Sequence, residues 1–217
     1  MLRKIYRKLF NKKQAKGYHD GFAKLPRVDC LIDIGIGHQG TYGLYKIFCN
    51  SYYIFIDPII ETKCAIKNLL NDKNIFINCA VGNCNNTVNI NVRKPFSRSG
   101  LLSTDSKEHD HFLEKRKIKQ RTLDSILEES YISGTFGVKI DVEGYEMFVL
   151  EGFTNMISKC SFMIIEVPIN GSRFQNSFTF EDMIIKMNAL NYNVFCIRTS
   201  GDGTNHCDIA FVNNHVL

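Results

Sequence analysis

No stretch of the 217-residue sequence approaches 18 uninterrupted apolar residues, so no helical membrane span is expected. The basic start is not followed by the apolar segment of a secretory signal, and none is expected. Eight cysteines are present, yet no CxxC pair or cysteine–histidine cluster has zinc-site spacing, and no metal site is expected. Cys30, Cys79, Cys160, Cys196 and Cys207 lie in or beside apolar strand-like runs, where a thiol behaves as a small hydrophobe. This pattern fits a reducing compartment, and a cytoplasmic location is expected. There is no internal repeat, and the length suits one ordinary domain.

Acids are missing from residues 1–16, which hold Arg3, Lys4, Arg7, Lys8, Lys12, Lys13 and Lys16. The whole chain sums to +5, so without these seven cations the rest carries a formal −2. The body therefore gives no strong nucleic-acid signal, and the basicity belongs to an N-terminal arm over residues 1–20. In that arm Leu2, Ile5, Tyr6, Leu9 and Phe10 recur at helical spacing and give a basic helix an apolar stripe. Such a helix can cover its own domain, dock on a protein partner, or lie peripherally on an anionic membrane.

What is present in residues 21–217 is an alternation of strands and helices. Apolar runs predict strands at Val28–Ile34, Tyr53–Asp57, Ile75–Val81, Phe136–Val142 and Phe162–Val167. Helices are expected over Thr41–Cys49, Ile59–Leu70, from Thr122 through Glu128, over Tyr145–Phe153, and from Thr179 through Leu190. Thr87–Val92 alternates as an added strand, and Asn193–Arg198 with Cys207–Val212 make an antiparallel ending. Strands separated by helices imply an α/β fold with a mostly parallel sheet covered on both faces. Residues 93–121 are polar and charged and are expected to form a substrate-side loop or insertion.

The most informative local motif is the run Leu31–Gly40, in which Gly35, Gly37 and Gly40 form GxGxxG between a strand and a helix. Asp57 closes the next strand, 22 residues after Gly35, where a carboxylate can accept hydrogen bonds from an adenosine ribose. Asp33 precedes the turn; it would repel a pyrophosphate but favour the ammonium of S-adenosylmethionine. A nicotinamide-dependent oxidoreductase shares the glycine geometry and stays the enzyme alternative, with a non-catalytic cofactor-binding scaffold as the alternative of another class.

On the acceptor side, strand alternation sends Lys139, Asp141 and Glu143 to one face near the carboxyl end of their strand, where open α/β sheets bind ligands. Asp141 is the candidate that orients or deprotonates an acceptor, Glu143 the second, and His38 a third because an imidazole can serve as a general base. Lys139 can neutralise Asp141, Glu146 can serve as a cap, and Glu166 can face the same cleft.

The chain resembles the FkbM-like family of S-adenosylmethionine-dependent methyltransferases over roughly residues 28–212. The resemblance rests on Leu31–Gly40, Phe55–Pro58, Asn78–Gly82, Arg121–Leu127, Val138–Gly152 and Ile164–Val167, in that order. It implies a Rossmann-like class I methyltransferase fold: a mostly parallel seven-stranded sheet with an antiparallel C-terminal strand. It also implies S-adenosylmethionine as cofactor and O-methylation of a glycan or small-molecule hydroxyl. Two departures stand out. Ile36 and Gly37 occupy the Ala and Asn/His places of the family's first loop, and Asp57 replaces the more frequent Glu.

Overall fold

The computed structural model describes residues 21–102, 112–169, 171, 174, 177–199 and 205–215. The basic helix expected over residues 1–16 lies outside the described residues. Among them are ten strands: β1 (Cys30–Ile34), β2 (Tyr52–Ile56), β3 (Ile75–Ile77), β4 (Ala80–Val81), β5 (Asn86–Arg93), β6 (Phe112–Arg121), β7 (Phe136–Ile140), β8 (Cys160–Pro168), β9 (Tyr192–Thr199) and β10 (His206–Asn213). The α-helices are α1 (Tyr42–Ile47), α2 (Leu123–Ser130), α3 (Glu146–Glu151) and α4 (Phe180–Ala189).

Seven strands form the main sheet in the order β3-β2-β1-β7-β8-β10-β9, and only β10 runs antiparallel to its neighbours. This is the Rossmann-like class I methyltransferase fold. The apolar runs of β1, β2, β7 and β8 bury residues on both faces because helices cover both. One face packs Ile32, Ile54, Val138, Ile165 and Phe211 against Leu127, Val149 and Met183 of α2, α3 and α4. The other packs Leu31, Phe55, Phe162 and Ala210 against Leu44 and Ile47 of α1, with Phe22 and Ile66. The chain steps from β1 outward to β2 and β3, then returns to place β7 on the other side of β1. The carboxyl ends of β1 and β7 therefore flank a crevice at the switch point, where such sheets bind ligands.

Both expected helix starts are capped. The Thr122 hydroxyl accepts from the Ser125 amide, and Thr179 with Asp182 forms a reciprocal capping box. Three expectations need correction. The run Ile75–Val81 is not one strand: it breaks at Asn78, whose side chain donates to the Asp57 carbonyl at 2.9 Å, and β4 leaves for a second sheet. The segment Ile59–Leu70 forms a 3-10 helix over Ile60–Ile66 rather than an α-helix. Residues 112–121, read as part of a loop, are strand β6. It pairs antiparallel with β5 and parallel with β4 in a three-stranded sheet of order β4-β6-β5.

Candidate active site

A cavity of ≈ 730 Å³ opens at the carboxyl ends of β1, β2, β7 and β8. Its floor is the turn after β1. Gly35 has φ +83°, and a Cβ there would stand 1.7 Å from the Asp141 carbonyl oxygen, so only glycine lets the two strand ends close together. The Asp141 amide in turn donates to the Ile34 carbonyl at 3.0 Å. Gly37, at φ +63°, brings the turn against Ser97 of the segment that roofs the cavity.

Asp57 stands beside this turn, buried, and its carboxylate is heavily engaged. One oxygen accepts the amides of Ile36 at 3.0 Å and Gly37 at 3.1 Å; the other accepts that of Ile59 at 2.8 Å. Burial pushes its pKa up to about 7, against the pull of these amides. The Thr62 side chain adds a further hydrogen bond to this carboxylate, which lines the cavity. The amides most exposed to a pyrophosphate in a dinucleotide site are here already taken by an acid.

The opposite wall is the turn after β7. Glu143 has φ +56° and Gly144 φ +92°, a tight left-handed pair that folds the chain back into α3. Glu146 stabilises that turn: one of its oxygens accepts the amides of Val142 at 2.9 Å and Gly144 at 3.3 Å. Its other oxygen is buried without a hydrogen-bond partner, and burial pushes its pKa up to about 8. The roof is residues 93–101, with Arg93, Phe96 and Leu101 facing the cavity, so the first part of the expected substrate-side segment borders the site.

Beneath the strand ends lies a charge cluster. Lys139 is buried, 3.0 Å from Asp141 and 3.6 Å from Asp33. Burial alone would push its ammonium down, but Asp141, Asp33 and Asp208 outweigh it and hold it well above the usual lysine value. Asp33 is fully buried and accepts the Tyr45 hydroxyl, while its second oxygen has no hydrogen-bond partner. Burial raises its pKa despite Lys139 and Tyr45. On the neighbouring strands Arg198 meets Asp208 at 2.9 Å, and His206 Nε2 lies 3.1 Å from Glu166.

The sequence candidates are thus distributed over two adjoining spaces. Gly35, Gly37, Asp57, Asp141 and Glu143 line the cavity. His38 and Gly40 line a second cleft on the far side of the turn, where exposed His38 meets Ser97 at 3.2 Å. Asp33 lies below the turn and lines neither space. Asp141, Glu166 and His206 border both. Arg93, Arg198, His206 and Asp208 were not singled out from sequence. An alternating charged position in β10 is the signal that could have marked Asp208.

Residues 29–194 match the methyltransferase FkbM domain. The chain belongs to the FkbM methyltransferase family. It accordingly carries an S-adenosylmethionine-dependent methyltransferase domain. No curated protein sequence matches this FkbM chain. Among solved structures it is similar to an O-methyltransferase family protein from Burkholderia thailandensis, with a TM-score of 0.46, 11% identity, and coverage of 97% of this chain and 55% of that one. A TehB-like S-adenosylmethionine-dependent methyltransferase from Corynebacterium glutamicum gives a TM-score of 0.43 at 12% identity, covering 98% and 96%. Human N-acetylserotonin methyltransferase in complex with S-adenosylmethionine gives 0.41 at 9%, covering 86% of this chain and 48% of its own. The chain spans about half the length of that human enzyme.

The residues of the FkbM site fit the cofactor. The glycine turn forms the cavity floor, and the Asp57 carboxylate lines the cavity beside it. The walls carry carboxylates, suited to a cationic sulfonium and ammonium rather than to phosphates.

Proposed function

We propose that this FkbM methyltransferase methylates a hydroxyl oxygen of a small-molecule or glycan acceptor. The carrying observation is the juxtaposition, in one cavity, of the glycine turn with Asp57 on one side and Asp141 with Glu143 on the other. Bound S-adenosylmethionine supplies an electrophilic methyl group. Gly35, Gly37 and Asp57 hold its nucleoside part, and Asp33 contributes through the field of a buried acid below the turn. Asp141 orients the acceptor hydroxyl, with its charge balanced by Lys139. Glu143, fixed by the left-handed turn, and His38, at the mouth of the adjoining cleft, are the further groups able to take a proton.

Calorimetric titration with S-adenosylhomocysteine, with NAD as the parallel ligand, tests the cofactor half. Binding of the former alone is expected; binding of NAD alone overturns it. The acceptor half is tested by S-adenosylhomocysteine release over panels of sugars, glycosides and phenols set beside amines and thiols. Turnover confined to amines or thiols overturns the oxygen assignment.

A further inference from the structure

Among the described residues, the outer face of the β5–β6 ribbon carries a row of cations. Strand alternation places Lys115, Lys117 and Lys119 on that face, opposite Asn91, Asn89 and Thr87 of β5. All three lysines are exposed, at intervals of ~7 Å along the strand. None of them makes an ion pair among the described residues. The inner face treats its cation differently. Arg116 is held by both oxygens of Glu61 at 2.9 Å and by Glu114 at 2.6 Å, beside Ile118 and the buried Gln120. Among the described residues the inward cation is thus neutralised by acids, and the outward row is not.

The row ends at two large apolar side chains. Phe112 and Leu113 are 53% and 50% exposed. The ribbon is bulged here: Val92 pairs with Glu114 and Arg93 with Phe112, so Leu113 has no residue opposite it.

We propose that the outer face of the β5–β6 ribbon docks on an anionic lipid surface, with the lysine row over the headgroups and Phe112 and Leu113 at the apolar boundary. Charge complementarity carries the choice of partner. Lysine is a compact, hydrated point charge that needs no planar match, as suits a fluid layer of headgroups. An adjoining exposed apolar pair adds the second component that interfacial binding uses. A single-stranded nucleic acid calls for aromatic rings among the cations on which bases stack, and the residues facing these lysines are Asn91, Asn89 and Thr87. The ribbon's other side contributes Ile90 to the active-site wall, so docking would hold that site one ribbon's thickness from the headgroups.

The test is co-sedimentation of the full chain with vesicles of phosphatidylcholine alone or mixed with phosphatidylglycerol, at low and raised salt. Salt-sensitive binding to the mixed vesicles only is expected. Replacing Lys115, Lys117 and Lys119 together by Gln should lower the partition coefficient roughly a hundredfold, and Lys117→Gln alone about fivefold. S-adenosylhomocysteine affinity should be unchanged in both, which establishes that the site is folded. A companion variant with Arg3, Lys4, Arg7 and Lys8 changed to Gln separates the arm from the ribbon. The proposal is overturned if wild type ignores mixed vesicles or binds both kinds equally. It is also overturned if the triple variant sediments like wild type, or if a single-stranded oligonucleotide is bound while vesicles are not.

Discussion

On one face of the seven-stranded sheet Ile32, Ile34, Ile56, Val138, Ile140 and Ile165 stay buried and apolar up to the carboxyl ends of their strands. On the other, Leu31, Phe55 and Ile164 give way at the same level to Asp33, Lys139, Asp141, Glu166 and Asp208. The register makes this a matter of neighbours, since Asp33 lies beside Lys139 across β1 and β7, and Asp208 beside Glu166 across β8 and β10. The first face shows how the domain is held together. The second shows where it tolerates buried charge, directly under the cavity. Lys139, joined by Arg198 at Asp208, stands among several acids at that level, and Glu166 responds: burial first, then Asp141, Glu143, Glu146 and Asp208, push its carboxyl well above the usual range.

Substitutions on the two faces should therefore differ in size and kind. Lys139→Met removes the cation between Asp33 and Asp141 and leaves buried acids uncompensated. A loss of about 3–5 kcal/mol in urea unfolding is expected, partly recovered by adding Asp33→Asn. Gly35→Ala strikes the seam between the faces, where the new Cβ meets the Asp141 carbonyl. Strain of about 1–3 kcal/mol and loss of S-adenosylhomocysteine binding in calorimetry are expected. Ile140→Val, on the apolar face, should cost about 0.5–1.5 kcal/mol and leave that affinity alone. If it weakened binding as Gly35→Ala does, the division of labour between the faces would be wrong.

The smallest change at neutral pH is expected for Glu146→Gln, which keeps the side chain's shape and its accepting oxygen. Its mark is in the pH dependence. The folded pKa is raised from 4.5 to about 8, so between those values the native chain holds a proton that the unfolded chain has released. This group's contribution to stability therefore falls as pH rises through that window and levels off above it. Urea midpoints measured across the window should show a flatter course in the variant; an unchanged slope would mean that Glu146 is ionised throughout.

Much of the main sheet was legible because its strands are buried on both faces and read as continuous apolar runs, as in Cys30–Ile34 and Phe136–Ile140. The helix caps at Thr122 and Thr179 were legible because a hydroxyl bonding an amide three residues on is a local event. Strand β6 was not. Between Phe112 and Arg121 its outer positions are lysines, and its inner face carries Arg116, whose partner Glu61 lies 55 residues away. Without alternating apolar residues, nothing local distinguishes that strand from a solvated loop. The pairing of His206 with Glu166 was equally invisible, since it depends on β10 entering antiparallel beside β8.

The sequence by itself determined the succession of most main-sheet strands and their covering α-helices, the glycine turn with its acid on the next strand, and the family to which these belong. All of these are properties of short segments and their succession. Tertiary structure decided which charges meet. It turned Asp57 onto the amides of Ile36 and Gly37, set Lys139 between Asp33 and Asp141, and left the lysines of β6 facing outward. Those outcomes depend on register and on which face is covered. The free energy of a charge depends on the neighbours that folding brings to it across the chain.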